Sequence, residues 1–247
     1  MSRVVFAFVA LLSLFVSGCA SGSARFDYAT ATTPMALFND ARPTTSIAVL
    51  PFVDMRSTYN ASADTYGSYL WGFVPLLPGG FAGSAYPETH PRFISLGNFD
   101  FSPAEDLAKA AHHSLAYSGL FNAAVRADSV EAADTDWILR GILTHTGYSG
   151  SRISYCVTYV LSPVLWALGA PYAVSGNELA LEFQLIDRRT ASVVWEYSYS
   201  GREFKTQWIY SGLGEDANLY AELTRQAINS ALFDLSNFAG IAGAFAP

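Results

Sequence analysis

Two cysteines, four histidines and a few charged pairs are what this 247-residue chain offers for chemistry. His112-His113 stand together on a predicted helix, but no HExxH pattern surrounds them. A metal site there would need carboxylates or another histidine one helical turn away, so the pair reads as a solvated or partly packed face. His90 lies in a Pro-flanked loop and reads as a turn residue; His145 continues a strand and reads as a rim residue. No Gly-x-Ser-x-Gly elbow is present. Gly79-Gly80 has no Lys-Ser/Thr after it, so it is not a phosphate loop. Asp54 with Arg56 has two readings, a charged site or a local ion pair at a strand end. Asp187-Arg188-Arg189 reads as a hairpin turn. The chemistry thus predicts no metal, no cofactor and no enzyme.

Cys19 is different because of what precedes it. Arg3 gives a positive start, Val4 to Val16 is apolar, and Ser17-Gly18 are small: the three parts of a signal peptide over 1–18. The apolar run is shorter than the roughly 20 residues a bilayer-spanning helix needs. An ordinary cleaved signal or an N-terminal membrane helix are the plainer readings. Leu14-Phe15-Val16-Ser17-Gly18-Cys19 resembles the lipobox of bacterial lipoproteins. That resemblance implies cleavage before Cys19, with diacylglycerol on its sulfur and an acyl chain on its nitrogen. More than one chain is needed for a stable hold, at about 0.8 kcal/mol per buried methylene. Ala20, rather than Asp, follows the cysteine. By the sorting rule of Gram-negative lipoproteins this implies the outer membrane with the domain facing the periplasm; a surface location stays open. Cys156 is then left without an intramolecular partner, either buried or paired between chains.

Composition narrows the partners. The formal charge is −7, from 14 basic and 21 acidic residues, and no Lys/Arg cluster occurs. This gives no electrostatic footprint for nucleic acid. Charged residues are only 14% and aromatics 15%, against about a quarter charged in ordinary soluble domains. Some of the surface is therefore expected to meet something other than water.

The elements follow from periodicity. Residues 19–44 are rich in Ser, Ala and Thr and read as a tether. Thr45 to Asp54 reads as a buried strand, limited by Pro51. Ser102-Pro103-Ala104-Glu105 predicts a helix with a capping box. Leu107, Ala111 and Leu115 lie on one face and Gly119 marks its end. Asn122 to Arg126 and Trp137 to Tyr148 read as strands. Leu179–Leu185 and Val193–Tyr199 alternate as a hairpin. Asp216 to Phe238 is a second long helix. The fold class expected is α+β: a mostly antiparallel sheet with two main helices packed on one face, in a single domain over 45–240, with a tail at 241–247. Two apolar, aromatic loop insertions, 59–101 and 153–177, interrupt it, with no charge over 65–87 and 153–177. Ile153 to Tyr159 alternates like a strand, and Ser162-Pro163 can start a short helix to Leu168.

Ile47-Ala48-Val49-Leu50-Pro51-Phe52 with Asp54 and Arg56 resembles the opening of periplasmic lipoprotein domains of the curli-secretion-channel and penicillin-binding-protein-activator type. Ser118-Gly119-Leu120-Phe121, the Trp137–Leu143 strand and Val194-Trp195 fit the same plan. Tyr159, Leu165-Trp166, Gly169 and Pro171 look like a pattern in uncharacterised outer-membrane lipoproteins. The resemblance spans 45–240 at the level of fold. Its members do different jobs, one building a secretion pore and another docking on a cell-wall synthase, so fold does not decide function. No pair of long alternating strands is evident that would form membrane hairpins.

The functional signal is apolar. Tyr69, Trp71 and Phe73 lie in one uncharged stretch; Tyr159, Trp166 and Tyr172 lie in the other. Either the two stretches pack together and cap the sheet, or part of them meets a partner, a second copy or lipid. The leading expectation is a non-enzymatic, lipid-anchored envelope protein acting as a binding or assembly module through these two aromatic loops. The alternatives are an oligomeric transport channel component, and a carrier of a lipid or other apolar ligand.

Overall fold

The computed structural model describes residues 23–28, 44–57, 79–88, 98–155, 157, 161–212 and 214–242. The strands are β1 (Ser23–Arg25), β2 (Ser46–Val49), β3 (Val53–Asp54), β4 (Gly79–Ser84), β5 (Asn98–Asp100), β6 (Ala123–Arg126), β7 (Trp137–Arg152), β8 (Ala173–Asp187) and β9 (Ser192–Gln207). The helices are α1 (Pro103–Ser118), α2 (Ser162–Ala167) and α3 (Leu219–Ala242), the last preceded by a 3-10 turn at Glu215–Asn218. One seven-stranded sheet runs in the order β6-β2-β7-β8-β9, with β3 and β4 also paired to β7. β1 and β5 form a separate two-stranded ribbon.

This corrects the expected fold class. The sheet is mixed: β2 is parallel to both β6 and β7, and β3 is parallel to β7. The described residues hold more strand than helix, and three helices rather than two. Helix α1 is the reason for the parallel pair. It carries the chain back across the sheet, so β6 enters in the same direction as β2, as a helical crossover requires.

Pro51 splits the first predicted strand in two, because it cannot donate to the ladder. Leu50 N donates to Leu139 O at 3.1 Å, Phe52 N turns to Ala104 O at 2.9 Å, and Met55 N returns to Leu143 O at 2.9 Å. Ile47 and Val49 face the main core, while Ala48 and Leu50 join Ala133, Ile138 and Ile186 on the opposite side. The continuous apolar run is thus covered on both faces.

Leu107, Ala111 and Leu115 of α1 and Leu223, Ala227, Ile228, Ala231 and Leu235 of α3 pack on Leu139, Leu143, Leu181, Phe183, Leu185 and Trp195 of the sheet. Phe52 meets Phe183 edge-on at 5.8 Å. A side chain at Gly141 would strike the Phe52 ring at 2.3 Å, so glycine is what admits that ring. The capping box is corrected: the Ser102 hydroxyl does not cap, and Asp106 Oδ2 accepts from Ser102 N at 2.8 Å. Glu105 instead pairs with Arg126 on β6. Gly119 does end α1, at φ 75°.

Four further expectations change. Residues 23–28, within the stretch read as tether, belong to the core: Phe26 and Tyr28 are buried. Gly79–Ser84, read as loop, is strand β4, antiparallel to the far half of β7. β7, β8 and β9 are 16, 15 and 16 residues long, so long strands do exist. Finally, Ile153 to Tyr155 is not strand. Arg152 pairs with Ala173, Ile153 N takes Tyr172 O at 3.0 Å, and the next partner, Pro171, has no N–H to continue the ladder.

Candidate functional site

The α2 region is built by turning its aromatic side chains inward. Trp166 Nε1 donates to Ile153 O at 3.0 Å, and its ring meets Tyr172 edge-on at 4.9 Å. The Arg152 guanidinium sits over the other side of this unit, 5.6 Å from the Tyr172 ring centre. Tyr155 Oη donates to Pro171 O at 2.9 Å, and Tyr210 Oη to Ala167 O at 2.7 Å. Ser162, fully buried, donates to Ser154 O at 3.0 Å. Trp166 and Tyr172 are half-buried pegs that close the α2 region on itself.

Those pegs leave an aliphatic face outside. Leu161, Val164 and Leu168 are 57%, 56% and 80% exposed, with Tyr210 beside them at 69%. The spacing of three and four places the three side chains along one flank of the short helix. Fully covering a side chain of this size gains about 1.5–3 kcal/mol. The surface therefore suits an apolar contact, and its rigid support lowers the ordering cost of forming one. No charge interrupts it from Ile153 to Asn177.

Of the predicted contact residues, the structure places Trp166 and Tyr172 together. Cys19, Tyr69, Trp71, Phe73 and Tyr159 lie outside the described residues, as does Cys156. Sequence reasoning picked the aromatic residues of the second stretch and missed the exposed aliphatic ones. The i, i+3, i+7 spacing of Leu161, Val164 and Leu168, with Pro163 near its start and Gly169 after its end, was the available signal.

Under the α2 region lies a buried polar network that the sequence reading also missed. Tyr148 Oη donates to Asp216 Oδ2 at 3.1 Å, and Asn177 Nδ2 to Asp216 O at 2.8 Å. Gln207 Nε2 donates to Ser175 Oγ at 2.7 Å. Asp216, Asn177 and Gln207 are fully buried. Tyr220 Oη donates to Gly147 O at 2.6 Å; burial pushes its pKa well above the usual value, which keeps that donor protonated. Polar residues at inward positions of alternating strands were the trace of this network.

The Asp54–Arg56 pair is an ion-pair knot. Arg56 forks onto Asp54, with Nε to Oδ1 at 2.9 Å and an Nη to Oδ2 at 2.6 Å. The same guanidinium reaches Glu88 at 2.5 Å and Thr146 Oγ1 at 2.7 Å. Tyr86 lies under it, 4.4 Å from ring centre to guanidinium. The Arg56 hydrogen bond holds the Asp54 carboxyl below the usual carboxylate range, against a smaller opposing effect of burial. For Arg56, burial works to lower the pKa, and the bonds to Asp54 and Glu88 outweigh it and raise it. With four hydrogen bonds from the guanidinium and its side chain only 5% exposed, the knot ties residues 84–88 and β3 onto β7.

The histidines are dispersed. His112 Nε2 lies 3.2 Å from Ala124 O, His113 lies between Tyr28 and Tyr117, and His145 pairs with Glu178 at 3.3 Å. His90 is outside the described residues. Among the described residues, no three of His, Cys, Asp and Glu gather as a metal site. A cleft of about 570 Å³ opens between residues 25–28 and α1, lined by both signs of charge: Arg25, Asp27, Asp106 and Lys109. Among the described residues, no helix is long and apolar enough to cross a membrane.

No family model and no curated protein matches the chain. Several solved structures are similar to it. A DUF330-family protein from Xanthomonas campestris is 14% identical, with 90% of this chain and 97% of that one covered and a TM-score of 0.41. Lipoprotein GNA1162 from Neisseria meningitidis is 14% identical, covering 78% and 99%, with a TM-score of 0.28. The PelC dodecamer from Paraburkholderia phytofirmans is 16% identical, covering 78% and 92%, with a TM-score of 0.32. Likeness at this level assigns no family, and what those proteins assemble into is theirs alone.

Proposed function

We propose that this is a lipid-anchored cell-envelope protein that acts without catalysis, as a binding or assembly module. The observation that carries the reading is the aliphatic face of Leu161, Val164 and Leu168, held outward by inward-turned aromatics. Three further features support it. The Leu14-to-Cys19 lipobox would direct acylation of Cys19 and so fix the protein to the outer membrane, with the domain facing the periplasm. The stretch around the face is uncharged. The charged pair Asp54 and Arg56 is consumed as a tie. The partner is another envelope protein or a second copy of the chain, since the composition provides no nucleic-acid footprint.

The test is the state of the detergent-extracted, lipidated protein beside a Val164→Ser/Leu168→Ser variant. Both side chains are exposed, so the variant should keep the fold. The native protein is expected to show a defined oligomer by light scattering, or a discrete cross-linked partner in cells, that the variant loses. An oligomer and partner set identical in both proteins would remove the α2 face from the proposal. A ring of many copies with conductance in planar bilayers would instead favour a channel.

A further inference from the structure

We infer that β1 is a clasp that shortens the membrane leash, so that the face carrying β1 and β5 lies against the headgroup layer of the bilayer. The inference rests on the reading of Cys19 as the acylated residue. β1 is parallel to β5, with Ser23 opposite Asn98 and Arg25 opposite Asp100. Phe26 N continues the ribbon to Asp100 O at 2.9 Å. Phe26 and Tyr28 are then buried in the main core. Phe26 packs on Phe101 at 4.9 Å, and Tyr28 Oη shares a 2.6 Å hydrogen bond with Ser114 Oγ of α1. Two buried aromatic side chains and a backbone ladder make this an anchored segment.

The consequence is a length. Cys19 is four residues before Ser23, and at about 3.4 Å per residue the leash reaches about 14 Å at most. Had the chain been free up to β2, the reach would be about 90 Å. The domain is therefore held at the lipid surface rather than projected away from it. The held face is polar and mixed in sign. Arg25 and Asp100 are 77% and 72% exposed. Cations for phosphate and carboxylates for ammonium suit a zwitterionic headgroup layer. The tip of the β8–β9 hairpin lies away from this face. Phe99 of β5 stacks on Tyr220, which bonds Gly147, and the tip lies at the level of Trp137, whose partner is Asp187. That separation is about 33 Å of strand.

The experiment uses the lipidated full chain in vesicles of phosphatidylethanolamine and phosphatidylglycerol. A benzophenone amino acid is placed at Asp100 of β5 or, as the remote control, at Arg189. Lipid adducts are counted by mass spectrometry after illumination. Position 100 is expected to label lipid about tenfold more than position 189, because effective concentration falls steeply with distance from a short leash. A Gly/Ser insertion of about 20 residues after Ala20, with unchanged circular dichroism, is expected to bring the yield at position 100 down to that at position 189. Equal yields at the two positions on acylated protein, or a yield at position 100 that survives the insertion, would overturn this inference alone. An unacylated Cys19 by intact mass would remove both it and the anchoring reading.

Discussion

The two halves of the long sheet are held by different forces. The half around Ile47, Leu139, Phe183 and Leu185 is apolar on its inner face and roofed by α1 and α3. The half around Tyr148, Asn177 and Gln207 is buried as well, but by hydrogen bonds to Asp216 and Ser175. Apolar burial is strong and non-directional, and it tolerates repacking. A buried polar network contributes less per group but fixes geometry, since each unmade bond is costly. The second half is the one that carries the α2 region. Its directional bonding holds the start of α3 and the base of α2 in one arrangement, as the proposed contact surface would need.

The largest effect should come from the apolar half. Phe183→Ala removes a ring that touches Phe52 and lies between the two long helices; it is expected to cost about 3–5 kcal/mol in denaturant unfolding. A loss under 1 kcal/mol would show that this half is not the main source of stability. Asn177→Ala should cost about 1–3 kcal/mol, because the Asp216 carbonyl loses a buried donor. Its sharper signature is local: amide exchange should quicken in residues 208–218 before it does in α1. Uniform exchange across both halves would erase the distinction drawn here.

The ion-pair knot gives a smaller, pH-dependent effect. Asp54 has a lowered pKa because Arg56 bonds its charged form. Its stabilising contribution is present above the unfolded carboxyl value of 3.8 and is lost as pH falls through the lower folded value. The stability gap between the native protein and Asp54→Asn should therefore be constant at neutral pH and close only below about pH 4. A gap that closes between pH 6 and 8 would mean another group is responsible. The smallest effect on stability, within about 0.5 kcal/mol, is expected for Val164→Ser and Leu168→Ser, the substitutions that should matter most for association. A large loss of stability in either would show that the face is core rather than contact.

Much of the apolar half was legible in order of elements. The Ile47–Leu50 run, the Leu107/Ala111/Leu115 stripe, Gly119 and the hairpin around Asp187 all carry their own periodicity or turn chemistry. Strand direction was not legible: nothing in the Ser46–Val49 pattern says that β6 and β7 align parallel to it. The second half was harder. Asn177 and Gln207 look like ordinary solvent-facing polar residues until the 3-10 turn at Glu215–Asn218 is laid over them. In the α2 region, composition identified an uncharged aromatic stretch, but Trp166 and Tyr172 turned out to be its internal pegs.

By itself, the sequence determined the local terms: an apolar N-terminal run ending in small-small-Cys, where the long helices lie, which faces are apolar, and the lack of a catalytic motif. These depend on neighbours within a few residues, where spacing and side-chain chemistry act directly. The tertiary structure alone decided that β1 is clipped into the core, that the sheet is mixed, and that Asp54 and Arg56 share their bonds with Glu88 and Thr146. It alone decided which residues of the α2 region face outward. Each of these depends on groups brought together from far along the chain, and their energies exist only once the core has placed them in contact.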